Sequence, residues 1–219
     1  MQSERRLYRR ESEESRRSAL IAATQSLVAE GGMGAATVRA IADRAGVTGG
    51  LIRHYFQSKD ELIRAAYRAL MDGMTAKGAD ATQGIGARPK ERLAAFCAAT
   101  LRPPVMEASG VVLWAAFMHR IRSDAELLAL HEMGYLGFRN VLEALIIALP
   151  RDVKPGQTRA EAIACNALLD GLWIEGSLLP AAFAPAEIIT IGLRSVGAIL
   201  GVDLLAHKSL LPEFRKTLS

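Results

Sequence analysis

The sequence predicts an all-α protein, and three observations carry this prediction. Apolar residues recur at three- and four-residue spacing through almost the whole chain of 219 residues, as they do along the buried face of a helix. Glycine and proline punctuate these segments, and no stretch shows the alternating β-branched pattern of a strand. With 50% hydrophobic and 23% charged residues, the composition is that of a globular protein with a substantial core.

Four helices are predicted in the first third of the chain, and each has residues typical of a helix boundary. Glycines end the first two helices, at Gly31, Gly32 and Gly46. A suitable N-cap precedes the second, third and fourth helices, namely Thr37, Thr48 and Ser58. The predicted buried faces are, in order, Leu20, Ile21, Thr24, Leu27 and Val28; Val38, Ile41, Ala42 and Ala45; Leu51, Ile52 and Tyr55; and Leu62, Ile63, Ala66, Tyr67, Leu70 and Met74.

Five further helices are predicted beyond a polar, glycine-bearing segment at 77–87. Polar or proline-containing junctions separate them, and their predicted bounds are 88–102, 107–122, 124–149, 158–179 and 186–202. From residue 203 onward the sequence predicts a short helix or an irregular tail. We therefore expect a head at 1–77, whose last helix begins at 59 and leads into the body, and a helical body at 78–219.

The charge of the chain is uneven. Its net charge is +4, and the whole excess lies in residues 1–70, which hold 12 basic and 8 acidic residues, whereas residues 71–219 hold 15 of each. A polyanionic partner such as nucleic acid would therefore bind the first third, although a solvated basic surface has the same signature.

Several classes of function are disfavoured. No apolar run reaches the roughly 18 residues of a membrane span, and the N-terminal segment lacks the apolar core of a secretory signal, so a soluble cytoplasmic protein is predicted. Cys97 and Cys165 are far apart in apolar helical surroundings, which predicts core residues and no metal site. No HExxH, P-loop or GxSxG motif is present, so an enzyme is the weaker interpretation and neither catalytic residues nor a cofactor are expected.

Two short helices joined by a tight glycine turn predict a helix-turn-helix. In this motif the second helix lies in the major groove, so it needs an apolar inner face and a slim polar outer face. The predicted outer face consists of Thr48, Gly49, Gly50, Arg53 and His54. Glycine weakens a helix, so two adjacent glycines suggest a constraint other than stability: they would let the backbone approach DNA closely. Alternatively, the pair simply belongs to the turn.

The stretch TVRAIADRAGVTGGLIRHYFQSKDEL, at 37–62, resembles the DNA-binding signature of the tetracycline-repressor (TetR) family. The resemblance implies a dimeric transcriptional regulator with a small three-helix DNA-binding head and a larger helical body that binds a small molecule. It also implies that double-stranded operator DNA is the partner of the head.

By position, the resemblance implies phosphate contacts from Thr37, Tyr55 and Lys59. Arg53 is the leading candidate for a base contact, because a guanidinium fits guanine bidentately, with a phosphate contact as the alternative. His54 either donates to a phosphate or packs at the edge of the head, and Arg39 is a further candidate for DNA binding. The arginines within 5–17 form either an arm that reaches DNA or, because glutamates are interleaved, an irregular solvated terminus.

The last two predicted helices, near 158–179 and 186–202, are candidates for a homodimer interface, because a two-fold axis matches a palindromic operator. Small residues that permit close packing recur along them: Ala164, Ala167, Gly171, Ala186, Gly192 and Gly197. The TetR resemblance implies a four-helix interface from this pair, and burial within the body is the alternative.

A polar stripe with one large aromatic runs along helix 158–179, through Asn166, Asp170, Trp173 and Ser177. A buried carboxylate needs a partner, which a cationic ligand, an arginine or a neighbouring helix end would supply. Asp170 and Trp173 are candidates for a cation–π site around a quaternary ammonium. Side chains of the two preceding helices would complete this site or, alternatively, belong to the hydrophobic core: Trp114, Phe117, Met118 and Tyr135.

The run LLDGLWIEGSLL and the Trp-bearing helix near 114 resemble the choline-responsive, BetI-like members of the same family. This resemblance implies release from DNA by choline or a related quaternary ammonium compound, with an unrelated hydrophobic or aromatic effector as the alternative. From another class, a small-molecule-binding protein without DNA function is a further alternative. The sequence alone leaves activation open beside repression.

Overall fold

The computed structural model describes residues 2–210, with side chains described from residue 13 to residue 207. No strand occurs within this range, and the all-α class is confirmed. The helices described are α1 Gln2–Ala35, α2 Val38–Ala45, α3 Gly49–Tyr55, α4 Lys59–Asp80, α5 Pro89–Thr100, α6 Ala108–Ile121, α7 Ala125–Ile147, α8 Gln157–Leu178 and α9 Glu187–Leu200, with short 3₁₀ turns at Pro180–Ala182 and Leu205–Leu210. None of the described helices combines the length and the apolar character needed to cross a membrane.

Local sequence sets most of the helix ends in the head. Thr37 caps α2 as predicted, because its Oγ1 accepts a hydrogen bond at 3.1 Å from the backbone N–H three residues on. Gly46 ends α2 with a φ of 65°, in the left-handed region that glycine adopts without a steric penalty. Ser58 caps α4 by accepting a backbone N–H at 3.1 Å. Thr48 occupies the N-cap position of α3, but its side chain makes no capping hydrogen bond.

The first helix departs from its prediction at both ends. It begins at Gln2, so residues 5–17 are helical and the expectation of an irregular terminus is wrong; the side chains before residue 13 lie outside the described ones. At the other end, Gly31 and Gly32 depart from helical geometry with φ values of −140° and 71°, and a final helical turn continues to Ala35. The glycine pair interrupts the helix where predicted but does not end it.

Packing divides the chain into two compact units. The first comprises the chain as far as Leu70 together with Val112–His131, and the second comprises Met71–Val111 together with the chain from Glu132 onward. Consequently α4, α6 and α7 each continue from one unit into the other. The domain boundary at residue 77 stays a prediction, and α4 itself runs past that residue to Asp80.

Each unit has its own core. Buried side chains of the first include Leu20, Val28, Ile41, Ile52, Leu62 and Phe117. Val38, predicted to be buried, is 41% exposed, because this small unit leaves the first turn of α2 at its surface. In the second unit Cys97 and Cys165 are buried core residues, as predicted, and burial raises the pKa of both thiols.

Candidate DNA-binding surface and effector site

The inner side of α3 is anchored in the first unit. Ile52 of α3 is 2% exposed, and Ile41 of α2 is fully buried. In the turn between them, the Val47 N–H donates to the Ala42 carbonyl at 3.0 Å. The two short helices therefore have the buried contacts and the closed turn of a helix-turn-helix.

The side chain of Arg44 also holds α2 against α1. Arg44 donates from Nη1 and Nη2 to the two carboxylate oxygens of Glu30, at 2.8 Å each, and from Nη1 to Ser26 Oγ at 2.6 Å. The hydrogen bond from Arg44 is the main reason why the pKa of Glu30 falls to about 2. Arg44 thus positions the motif, which explains a basic residue in the head that was not predicted to contact DNA.

The outer face of α3 is open. Thr48, Gly50, Arg53 and His54 are exposed, and Gly49 is half-buried. These five residues therefore lie where the sequence predicted them, on one accessible surface of the second helix of the motif. Their contacts with DNA stay a prediction.

Gly49 and Gly50 lie within α3, so the interpretation that they belong to the turn is wrong. A Cβ at Gly50 would meet no atom within 4 Å, and one at Gly49 would meet Val38 Cγ1 at 3.8 Å, an ordinary van der Waals distance. Neither glycine has a positive φ. The fold of the chain therefore does not require glycine at either position.

The remaining DNA-binding candidates lie on α2 and around the start of α4. Thr37 is exposed, and because its Oγ1 accepts the capping bond, its hydroxyl proton is still available to a phosphate. The Arg39 side chain is 93% exposed, with its Nε 3.8 Å from Asp43 Oδ2. Tyr55 and Lys59 are half-buried, and Lys59 opens α4, where the helix dipole favours an anion.

A network of ion pairs joins the first half of α4 to the turn between α6 and α7. Arg64 donates from Nε and Nη2 to Asp124 Oδ1 at 3.2 and 3.1 Å, and its Nη1 lies 2.7 Å from Glu126 Oε2. Arg120 Nη2 donates to Asp60 Oδ1 at 2.6 Å. We call these five residues the α4 ion-pair network.

Asp124 is the centre of the α4 ion-pair network. Its side chain is 8% exposed, and Oδ1 also caps α7 by accepting a backbone N–H at 3.0 Å. Burial acts to raise the pKa of Asp124, but the hydrogen bonds from that N–H and from Arg64 outweigh it, and the pKa is lowered. This network could not be predicted from the sequence, because each pair joins residues about sixty positions apart. Only the capping role of Asp124 before α7 has a local signal.

The six predicted effector residues fall into two groups. Trp114, Phe117 and Met118 lie on α6 in the first unit, and Tyr135, Asp170 and Trp173 lie in the second. Phe117 is fully buried with its ring centroid 4.7 Å from that of Tyr67, which gives it a place in the core. Trp114 and Met118 are half-buried. Effector contacts from this group stay a prediction.

Tyr135, Asn166 and Asp170 form a polar cluster in the second unit. The Tyr135 hydroxyl donates to Asp170 Oδ2 at 3.0 Å, and Asn166 Nδ2 donates to the same oxygen at 3.0 Å and to the Tyr135 oxygen at 2.7 Å. Burial raises the pKa of Asp170, although the two hydrogen bonds act in the opposite direction. A cation beside Asp170 would favour its charged form, so the cluster is suited to select positive charge.

Trp173 has a structural role that the sequence did not indicate. It is 5% exposed, and its indole N–H donates to the Val105 carbonyl at 2.8 Å. The bond ties α8 to the connection between α5 and α6. A contact between Trp173 and an effector stays a prediction.

The small residues of α8 and those of α9 differ in their burial. Those of α8 are exposed on a face that also exposes apolar side chains: Ala164, Ala167 and Gly171, with Ile163 and Leu178. In α9, Gly192 and Gly197 are buried, and a Cβ at Gly197 would lie 2.6 Å from the Val202 carbonyl oxygen. For these two glycines the alternative of packing within the body is therefore what the structure shows.

Comparison with known proteins covers both parts of the chain. Residues 20–66 match the family described as bacterial regulatory proteins, tetR family, and residues 89–201 match BetI-type transcriptional repressor, C-terminal. The HTH-type transcriptional regulator BetI of Burkholderia ambifaria is 33% identical over 168 residues, which cover 75% of this chain and 84% of the relative.

Two solved structures extend the comparison. A transcriptional regulator from Pseudomonas aeruginosa PAO1 is 30% identical, with a TM-score of 0.74 over 89% of this chain and 94% of that chain. A transcriptional regulator from Saccharomonospora viridis, solved in complex with choline, shares the fold at 16% identity, with a TM-score of 0.65 over 86% of this chain and 96% of that chain.

Proposed function

The chain belongs to the TetR family of bacterial regulatory proteins, with a BetI-type repressor C-terminal part, and we propose that it binds a palindromic operator as a dimer and is released by choline or a related quaternary ammonium compound. As a member of this family it is a transcriptional repressor and not an enzyme. The observation that carries the operator proposal is the open outer face of the anchored helix α3. The cytoplasmic location expected from the sequence belongs to the same proposal, since a bacterial operator lies there.

The first test is binding of the full-length protein to DNA from upstream of its own gene, by fluorescence anisotropy at low salt, where phosphate contacts contribute most. Arg53→Ala should weaken binding about tenfold to hundredfold, because a bidentate arginine–guanine contact is worth roughly 1–3 kcal/mol of discrimination. Arg68→Ala, at an exposed position of α4 in the same unit, is the matched control. Equal losses from the two variants would contradict base reading by Arg53, and no binding by the wild type would contradict the operator proposal.

Gly50 provides an independent test of the same surface. Because a Cβ there meets no protein atom and alanine is the better helix former, Gly50→Ala should raise the free energy of unfolding by up to about 1 kcal/mol. The added methyl occupies space that α3 needs at the base edges, so operator affinity should fall about tenfold, the equivalent of roughly 1.4 kcal/mol. Denaturation and anisotropy measure the two effects; unchanged operator affinity would show that DNA does not approach α3 at this residue.

The polar cluster supports the cationic effector. Choline and betaine aldehyde, titrated against the operator complex, should weaken it by about 5- to 150-fold, the usual range of allosteric coupling. Glycine betaine should act less, since its carboxylate would repel Asp170. Asp170→Asn keeps the shape of the side chain and removes its charge, so it should spare operator binding and abolish the choline response. If none of the three compounds weakens the operator complex but an aromatic or hydrophobic compound does, the alternative effector is favoured.

The likeness to the Saccharomonospora viridis protein concerns the fold, and that protein was solved with choline. Its fold therefore accommodates a choline molecule, which is compatible with the proposed effector. The support specific to this chain is the partly buried, hydrogen-bonded carboxylate of Asp170.

The exposed face of α8 supports a dimer. It presents small and apolar side chains along the length of the helix, and an interface of this composition permits close helix packing. A two-fold dimer places two α3 helices on one duplex, with half-sites about one helical turn, or ~34–36 Å, apart or at a related spacing.

The α4 ion-pair network supports a route for the effector signal to the head. Since α4, α6 and α7 run from one compact unit into the other, a shift of the α6–α7 turn would be passed through Asp124 and Arg64 to α4. Asp124→Ala should therefore reduce the ratio of operator dissociation constants with and without choline several-fold, and cost about 1 kcal/mol of stability through the lost α7 cap.

Glu126→Ala is the matched control for Asp124→Ala, because Glu126 also pairs with Arg64 but its side chain is 74% exposed. An exposed ion pair contributes little, so the choline ratio should stay at the wild-type value. If both variants kept the wild-type ratio, the network would be structural and would not transmit the signal.

A further inference from the structure

A cavity of about 310 Å³ lies in the second unit where the chain turns from α8 towards α9. Its walls come from the α5–α6 connection, the end of α8, the α8–α9 connection and the first turn of α9. The lining residues include Arg102, Met106, Gly176, Phe183, Ala186 and Ile188. The volume is at the lower end of the range for small-molecule sites, and none of the six predicted effector residues lines it.

The walls of the cavity are firmly built. On its inner side the packing is close, because a Cβ at Gly176 would collide with Met106 Sδ and Ile188 Cδ1. Trp173, one turn earlier on α8, donates to a backbone carbonyl of the α5–α6 connection and so fixes another wall. Ala186 has a φ of 60°, in the left-handed region that alanine rarely adopts, and strained backbone of this kind clusters at ligand sites.

Arg102 is the one charged residue among those lining the cavity, and the other walls are apolar. From this combination we infer that the cavity binds a medium-chain carboxylate, with the carboxylate on the Arg102 guanidinium and the alkyl tail against the apolar walls. A guanidinium presents five N–H donors, so it binds a ligand carboxylate beside any partner it has within the protein. No residue of the Asp170 cluster lines the cavity, and the cavity would bind an anion where that cluster would bind a cation. The cavity is therefore a second small-molecule site.

The test uses three probes of equal chain length and different charge: octanoate, octanol and octyltrimethylammonium. Isothermal titration calorimetry uses the full-length Asp170→Asn variant without DNA, so that the proposed quaternary-ammonium site does not contribute to the heat. It should show one octanoate per chain, weaker binding of octanol and the weakest binding of octyltrimethylammonium. Arg102→Gln keeps the apolar stem and removes the charge, so it should weaken octanoate about tenfold or more and leave octanol unchanged, as expected when a charge-assisted hydrogen bond is lost. Ala184→Trp, which fills the cavity from its rim, should weaken octanoate and octanol alike.

Arg122→Gln is the matched control, since Arg122 is an exposed arginine of the first unit. Equal affinity for the three probes, or an octanoate loss in Arg102→Gln no larger than in Arg122→Gln, would overturn the inference. The choline-dependent operator assay is a separate measurement, so its failure and the failure of this site are distinguishable.

Discussion

Replacing Arg151 with alanine is expected to lower the free energy of unfolding by about 3–5 kcal/mol, the cost of leaving a buried carboxylate without its charged partner. Arg151 donates from Nη1 and Nη2 to the two oxygens of Glu161 at 3.1 and 2.7 Å, and from Nη1 to the Leu200 carbonyl at 2.8 Å. The two side chains are 13% and 9% exposed. This pair ties the start of α8 to the end of α9, the helices proposed to form the dimer.

Chemical denaturation at one fixed protein concentration measures the loss, since the stability of the proposed dimer would depend on concentration. Arg159→Ala, at an exposed position of α8, is the matched control and should change the free energy of unfolding by less than about 0.5 kcal/mol. A loss in Arg151→Ala as small as in this control would show that the Glu161 carboxylate is adequately solvated without Arg151.

The same pair predicts how stability depends on pH. The hydrogen bonds from Arg151 lower the pKa of Glu161 below its ordinary value of 4.5. The stabilisation is therefore fully present above that value and is lost as the pH falls through the lowered pKa of the folded state. The difference in unfolding free energy between the wild type and Glu161→Gln should accordingly shrink below about pH 4.5; a constant difference would contradict the charged pair.

Replacing Trp173 with alanine should cost about 3–5 kcal/mol of unfolding free energy, as large aromatic truncations in a core do. The side chain is 5% exposed and its indole N–H donates to the Val105 carbonyl. Trp173→Phe keeps an aromatic ring but leaves that carbonyl without its donor, so it should cost about 1–3 kcal/mol. Trp114→Phe makes the same chemical change at a half-buried tryptophan and should cost less.

Trp173→Phe also separates packing from effector binding. If Trp173 stacks on a quaternary ammonium, the weaker cation–π partner should raise the choline concentration needed for release, beyond any effect of stability. Anisotropy titrations at a temperature where both proteins are fully folded measure this concentration. Equal choline concentrations for the variant and the wild type would leave Trp173 as a packing residue alone.

The DNA-binding motif was predictable because its determinants are local. Thr37, Gly46 and Ser58 set helix ends through contacts within a few residues, and such contacts follow directly from residue type and spacing. The helices of the body were predictable for the same reason, since helical periodicity and proline or glycine boundaries are properties of short segments. The interruption at Gly31 and Gly32 was likewise found, although the helix resumes beyond it.

The sequence by itself therefore determined the all-α class, the helix-turn-helix and which residues form the outer face of α3. Only the tertiary structure decided which side chains are buried or paired within the protein, because burial and pairing depend on residues far away in the chain. Val38 is exposed although its position in α2 predicted burial, and Gly192 and Gly197 pack inside the body. Asp124 and Arg64 are paired across sixty residues, and no local pattern encodes such a contact.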